Sequence, residues 1–165
     1  MEKKEVLQYI APCSLCCFTC PAMKEGAIAQ CARKLCTLFE GYYDFNDANI
    51  AKENRSWLSD FADFYKKLEQ YTQPGCPGCR NNPTPGKGCI EGCIIPSCVK
   101  EHGVDVCAEC IEFPCKKAKE FFQGINQVIG YDWEKGNKRI QEIGIQAYFE
   151  EKKEVSHYVS YKKSR

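Results

Sequence analysis

Residues 73–115 read Gln73-Pro-Gly-Cys76-Pro-Gly-Cys79-Arg80-Asn-Asn-Pro-Thr-Pro-Gly-Lys-Gly88-Cys89-Ile-Glu-Gly-Cys93-Ile-Ile-Pro-Ser-Cys98-Val-Lys-Glu-His102-Gly-Val-Asp-Val-Cys107-Ala-Glu-Cys110-Ile-Glu-Phe-Pro114-Cys115. Eight of the chain's 14 cysteines lie here, among turn-forming Pro and Gly, and no periodic apolar face can be drawn through the stretch. Such a segment buries too little apolar surface to offset its own ordering entropy, so its conformation is expected to depend on bound metal. Cys76-Pro-Gly-Cys79 and Cys107-Ala-Glu-Cys110 each have the form of a zinc knuckle, in which two thiolates grip one ion from a single tight turn. Short helical turns are expected from Pro96 to Lys100 and between the last cysteine pairs.

A second thiol-rich stretch, Cys13-Ser-Leu-Cys16-Cys17-Phe-Thr-Cys20-Pro21, lies near the start. Outward from these two regions the sequence turns helical. After Pro21, the positions Ile28, Cys31, Leu35, Leu38 and Tyr42 recur at three- and four-residue intervals, which predicts one amphipathic helix over 21–42. From a cap at Asn46 or Asp47, the series Ile50, Trp57, Phe61, Phe64, Leu68 and Tyr71 predicts a second and longest helix, stopped by Gln73-Pro74-Gly75. Its aromatic stripe reads as core rather than as a ligand groove. Ala118, Phe121, Phe122, Ile125, Val128 and Ile129 give a third helix ending at Gly130. Asp132 caps a fourth, with Trp133, Ile140, Ile143, Ala147 and Tyr148 on one face. The tail, Val155 to Tyr161, alternates as a short strand or a loose end does. The expected fold is mostly α: four main helices packed with an irregular, metal-stabilised cysteine-rich segment. One domain spans 1–165, with its metal-binding segments at 13–20 and 76–115.

The charge balance is even, 23 basic against 22 acidic side chains for a net charge of +1. That is no electrostatic footprint for strong nucleic-acid binding. No apolar run approaches the roughly 18 residues of a membrane span, and the charged start lacks a secretory signal. The reading is a cytoplasmic protein, where thiols stay reduced and dense Cys-x-x-Cys pairs serve as metal ligands.

Cys31 lies on the apolar stripe of the first helix and reads as a small core residue. Cys36, turned about 140° away, reads as an ordinary helical thiol. The remaining thiols, Cys13, Cys16, Cys17, Cys20, Cys76, Cys79, Cys89, Cys93, Cys98, Cys107, Cys110 and Cys115, are the candidate metal ligands, enough for two to three tetrathiolate ions. Adjacent Cys16 and Cys17 are expected to diverge. His102 and His157 read as surface residues. Zinc suits soft thiolates at these spacings. The alternative is an iron–sulfur cluster in electron transfer or redox catalysis. Cys13-x-x-Cys16 and Cys20-Pro21 echo fragments of a ferredoxin run, although Thr19 stands where that run has a cysteine.

These residues together resemble a cysteine-rich family of bacteria and archaea catalogued as domain of unknown function 3795. Cys13-Ser-Leu-Cys-Cys17-Phe-Thr-Cys20-Pro21-Ala22 is similar to its opening, with Ser14 in place of the usual glycine and Cys16 as an added thiol. Cys76-x-x-Cys79-Arg80, Cys93-x-x-x-x-Cys98 and Cys107-Ala-Glu-Cys110-Ile-Glu-Phe-Pro114-Cys115 resemble its second block, and Asn137 to Gly144 its closing segment. The resemblance implies a zinc-binding domain and transfers no activity.

No His-Glu-x-x-His, Gly-x-Ser-x-Gly or phosphate-cradling glycine loop is present, and cysteine-only metal shells are usually closed and structural. A binding or interaction module is therefore the preferred function class; the loop around Arg80, Asn81, Asn82 and Lys87 reads either as a surface for a protein or small-molecule partner or as a solvent-exposed loop with no partner. Metal sensing or storage is the other alternative. For catalysis, the candidate is a thiol such as Cys16 activated by cationic neighbours.

Overall fold

Seven α-helices and one 3₁₀ turn carry the regular structure of the residues described by the computed structural model, which are 1–42, 61–82, 89–129 and 131–158, with backbone alone for 124–129. The helices are α1 (Lys3–Val6), α2 (Ala27–Leu38), α3 (Phe61–Gln70), α4 (Ile95–Glu101), α5 (Lys116–Ile129), α6 (Trp133–Ile143) and α7 (Ile145–Lys152). The 3₁₀ turn spans Cys107–Glu109. Pairing between extended segments among the described residues is limited to two isolated bridges, Ile10 with Cys16 and Met23 with Cys76. The predicted start of the second helix, including Ile50 and Trp57, lies outside the described residues. So do the turn-rich stretch 83–88, Gly130 and the tail from Val159, while the side chains of Ile125, Val128 and Ile129 are likewise not described.

The first predicted helix starts later than its periodicity suggests. Residues 21–26 form turns because a distant segment docks there. Lys24 N–H donates to the Cys76 carbonyl at 2.9 Å, and Cys76 N–H to the Ala22 carbonyl at 2.9 Å. Gly26 then opens α2 where a Cβ would stand 2.6 Å from the Phe18 carbonyl oxygen. The helix turns Ala29 and Ala32 inward, one residue off the expected stripe, so that Cys31 is exposed rather than in the core. Phe39, just beyond α2, packs edge-on against Phe61 of α3 at 5.1 Å between ring centroids.

The fourth predicted helix is two. Asp132 Oδ1 accepts from Lys135 N–H and caps α6, but Gly144 takes a φ of 80°, a left-handed conformation that glycine adopts freely and other residues rarely do. The chain turns there, and α7 brings Tyr148 and Phe149 back against α1.

Among the described residues, two apolar cores result. The first gathers Leu15, Ile95, Val99, Ala118, Phe122 and Trp133, with the Phe122 and Trp133 rings stacked at 5.6 Å. The second gathers Val6, Ile10, Val106, Ile140, Ile145, Tyr148 and Phe149. The turn Cys13-Ser14-Leu15 runs between them and is fixed from both sides.

Candidate metal centre

That turn is held by buried polar groups. Ser14 adopts a φ of 72°, the conformation for which glycine is the ordinary residue, and it is fully buried. Its Oγ hydrogen-bonds to the Cys13 carbonyl and to the Tyr131 hydroxyl, the latter at 2.7 Å. Tyr131 also donates to the Cys13 carbonyl at 2.8 Å, and Tyr148 donates to the Ser14 carbonyl at 3.0 Å. Asn137, on α6 and fully buried, donates from Nδ2 to the Cys13 carbonyl and accepts at Oδ1 from Ala108 N–H at 2.9 Å. One amide side chain thus joins the Cys13 turn to the Cys107–Glu109 turn. Gly136 leaves room for this, since a Cβ there would collide with Ser14 Oγ.

Beyond the 3₁₀ turn lies a narrow cysteine group. Cys98 comes from α4, Cys107 and Cys110 bracket the 3₁₀ turn, and Cys115 immediately precedes α5. All four line a single cavity of about 20 Å³, whose other walls include Ile95, Phe113, Ala118 and Trp133. Burial pushes the Cys107 thiol up to about 11, and the sulfurs of Cys98, Cys115 and Cys110 act in the same direction. Cys98 is raised for the same two reasons. The Trp133 indole N–H is buried with no full hydrogen bond, and it bears on the Cys107 sulfur, where it favours the thiolate. His102, exposed, donates from Nδ1 to the Cys98 carbonyl at 2.8 Å and lies 3.8 Å from the Cys98 sulfur.

The second cysteine group is wide. Cys13, Cys79, Cys89 and Cys93 line a cavity of about 580 Å³ together with Arg80, Lys100 and the apolar Ala11, Leu15, Val99 and Val104. Cys17 stands within electrostatic reach of Cys13, Cys89 and Cys79. Gly78, at a φ of 83°, makes the Cys76–Cys79 turn, and the thiols of Cys79 and Cys89 hydrogen-bond to each other. That bond holds Cys89 down to about 7 and Cys79 up, so the pair shares one proton. Burial raises Cys13, opposed by a hydrogen bond from Leu15 N–H. Burial likewise raises Cys93, opposed by Ile95 N–H. Arg80 is pinned beside this group, its Nε donating to the Leu7 carbonyl at 3.0 Å and Nη2 to the Ile10 carbonyl at 3.3 Å.

The remaining thiols line neither cavity, although Cys17 and Cys20 stand within electrostatic reach of Cys89. Cys20 and Cys76 meet near the Met23–Cys76 bridge. Cys16 and Cys17 do diverge, with Cys16 packing on the second core and Cys17 on the first. Burial raises the Cys16 thiol, opposed by a hydrogen bond from Phe18 N–H and by the charge of Lys152. His157 is buried rather than on the surface, donating from Nδ1 to the Cys16 carbonyl at 2.7 Å. Among the described residues, no three His, Cys, Asp or Glu side chains are drawn in tightly enough to hold an ion as the atoms stand. The sequence reading missed Asn137 and Tyr131, which fix Cys13 without touching a sulfur. It took Trp133 for core alone.

The family model described as "Protein of unknown function (DUF3795)" matches residues 9–120, and the chain belongs to that family. The match spans both cysteine groups and ends within α5. No curated protein and no solved structure matches the chain.

Proposed function

We propose that this family member is a zinc-stabilised binding module, in which Cys98, Cys107, Cys110 and Cys115 hold one zinc ion as a closed tetrathiolate. The single observation that carries this reading is that four free thiols line one cavity of about 20 Å³. That volume suits one small ion, and its walls are apolar apart from the thiols and His102. The donor set fits zinc: soft sulfur alone, at the knuckle spacing of Cys107 and Cys110. The buried Trp133 N–H fits as well, because a metal-bound thiolate at Cys107 is a stronger acceptor than the thiol on which it already bears.

Zinc bound there supplies structural cross-linking rather than a reactive water, since four thiolates leave no open position. The residues around it do the rest. Ile95, Phe113 and Trp133 exclude water, and Asn137 holds the 3₁₀ turn against α6. The wide cysteine group supplies a second metal unit, and the face that carries Arg80 and Asn82 meets a protein or small-molecule partner. No described helix is long and apolar enough to cross a membrane. Elemental analysis of anaerobically purified protein tests the reading. It predicts tightly held zinc whose removal by a chelator lowers Tm. Protein that carries no zinc, or that melts identically without it, overturns it.

A further inference from the structure

We infer that the wide cavity walled by Cys13, Cys79, Cys89 and Cys93 is a site for a polynuclear iron–sulfur cluster, a different cofactor from the single ion of the narrow group.

Size is the first argument. A mononuclear tetrathiolate draws its sulfurs to about 2.3 Å from the metal and leaves no void of its own. The wide group instead lines, with Arg80, Lys100 and several apolar residues, an open cavity of about 580 Å³, against about 20 Å³ for the narrow one. A cluster with bridging sulfide is a body of several atoms held by four thiolate ligands, and here four cysteines line one cavity.

Rigidity is the second argument. Cys13 is fixed by the buried Ser14, Tyr131 and Asn137 bonds, and Cys79 is adjacent to Arg80, whose guanidinium is tied to two backbone carbonyls. Cys13 and Cys79 are thereby held on the cavity wall by contacts that do not involve their sulfurs.

The surroundings are the third. Leu15 and Val99 add apolar surface to the lining of the same cavity. Leu15 N–H and Ile95 N–H point at the Cys13 and Cys93 sulfurs. Such amide donors, with Arg80 alongside, offset the negative charge that a cluster spreads onto its ligands.

The inference stands beside the zinc reading rather than on it, because zinc and iron are counted separately. The test is anaerobic reconstitution of the full chain with ferrous iron and sulfide, followed by metal and labile-sulfide analysis of wild type and Cys93→Ala. Wild type is expected to take up roughly four irons and as many sulfides per chain, with a broad visible absorption band. Cys93→Ala is expected to hold at least about tenfold less iron at unchanged zinc. Wild type that takes up no iron and sulfide, or that holds a second zinc which iron does not replace, overturns the assignment. So does a variant that retains as much iron as wild type. If Cys93→Ala fails to fold, iron-edge X-ray absorption of reconstituted wild type decides: a sulfur-only shell with short iron–iron scattering supports the cluster, and a mononuclear shell overturns it.

Discussion

The two cysteine groups differ in how the chain builds them. The narrow group draws Cys98, Cys107, Cys110 and Cys115 from one continuous stretch and closes on about 20 Å³. The wide group draws Cys13 from the N-terminal turn, Cys79 from a knuckle, and Cys89 and Cys93 from the segment before α4, around about 580 Å³. Neighbours in sequence can form a tight loop at low closure entropy, so the narrow site needs no distant segment to complete it. The wide site exists only after Cys13 has been carried across the molecule, and it therefore depends on the buried network of Ser14, Tyr131 and Asn137.

The largest expected effect breaks the narrow side. Cys110→Ser is expected to release the zinc and, because binding energy there is folding energy, to lower Tm by more than about 10 °C. Calorimetry with parallel zinc analysis checks it, and retained zinc would break the grouping. Next comes the link between the groups. Asn137→Ala leaves Ala108 N–H buried without its acceptor, at a cost of about 2–3 kcal/mol. Tm should fall by roughly 4–12 °C. Since the same amide holds the Cys13 carbonyl, metal content of the wide group should fall as well, whereas a change confined to the narrow group would separate them. Trp133→Phe sharpens the contrast, keeping most of the stacked ring but removing the N–H that bears on Cys107. Zinc affinity is expected to weaken about tenfold, by competition with a chromophoric chelator, with no effect on the wide group. The smallest effect belongs to Cys31→Ser, an exposed thiol remote from both cavities, expected to shift stability by less than about 0.5 kcal/mol and to leave both metal contents unchanged.

Much of the fold was legible because it is local. Phe122 and Ala118 repeat at helical spacing and do face the core from α5, and Asp132 announces the start of α6. Gly144 also stands in plain view, but only its φ of 80° shows that it divides two helices. The late start of α2 was not legible, since Cys76 competes for residues 22–24 from a distant part of the chain. Cys31 was misplaced for a related reason: Ala29 and Ala32 pack inward, while periodicity weights the larger side chains.

At the candidate site, the twelve thiols set apart by spacing include every cysteine that lines either cavity. Their division was not legible. Cys93 is close in sequence to Cys98 yet faces Cys13, because α4 intervenes and points the two thiols into different cavities. Nothing in spacing marks Asn137 or Tyr131, whose role is to hold a backbone carbonyl. The one local trace is Ser14, a non-glycine residue at a positive φ held there by its own buried hydroxyl.

Zinc-edge X-ray absorption of the anaerobically purified chain tests the closed narrow site most directly. The account predicts one shell of four sulfurs at about 2.3 Å from zinc, with no lighter donor. A shell that contains nitrogen or oxygen, from His102 or from water, would contradict it.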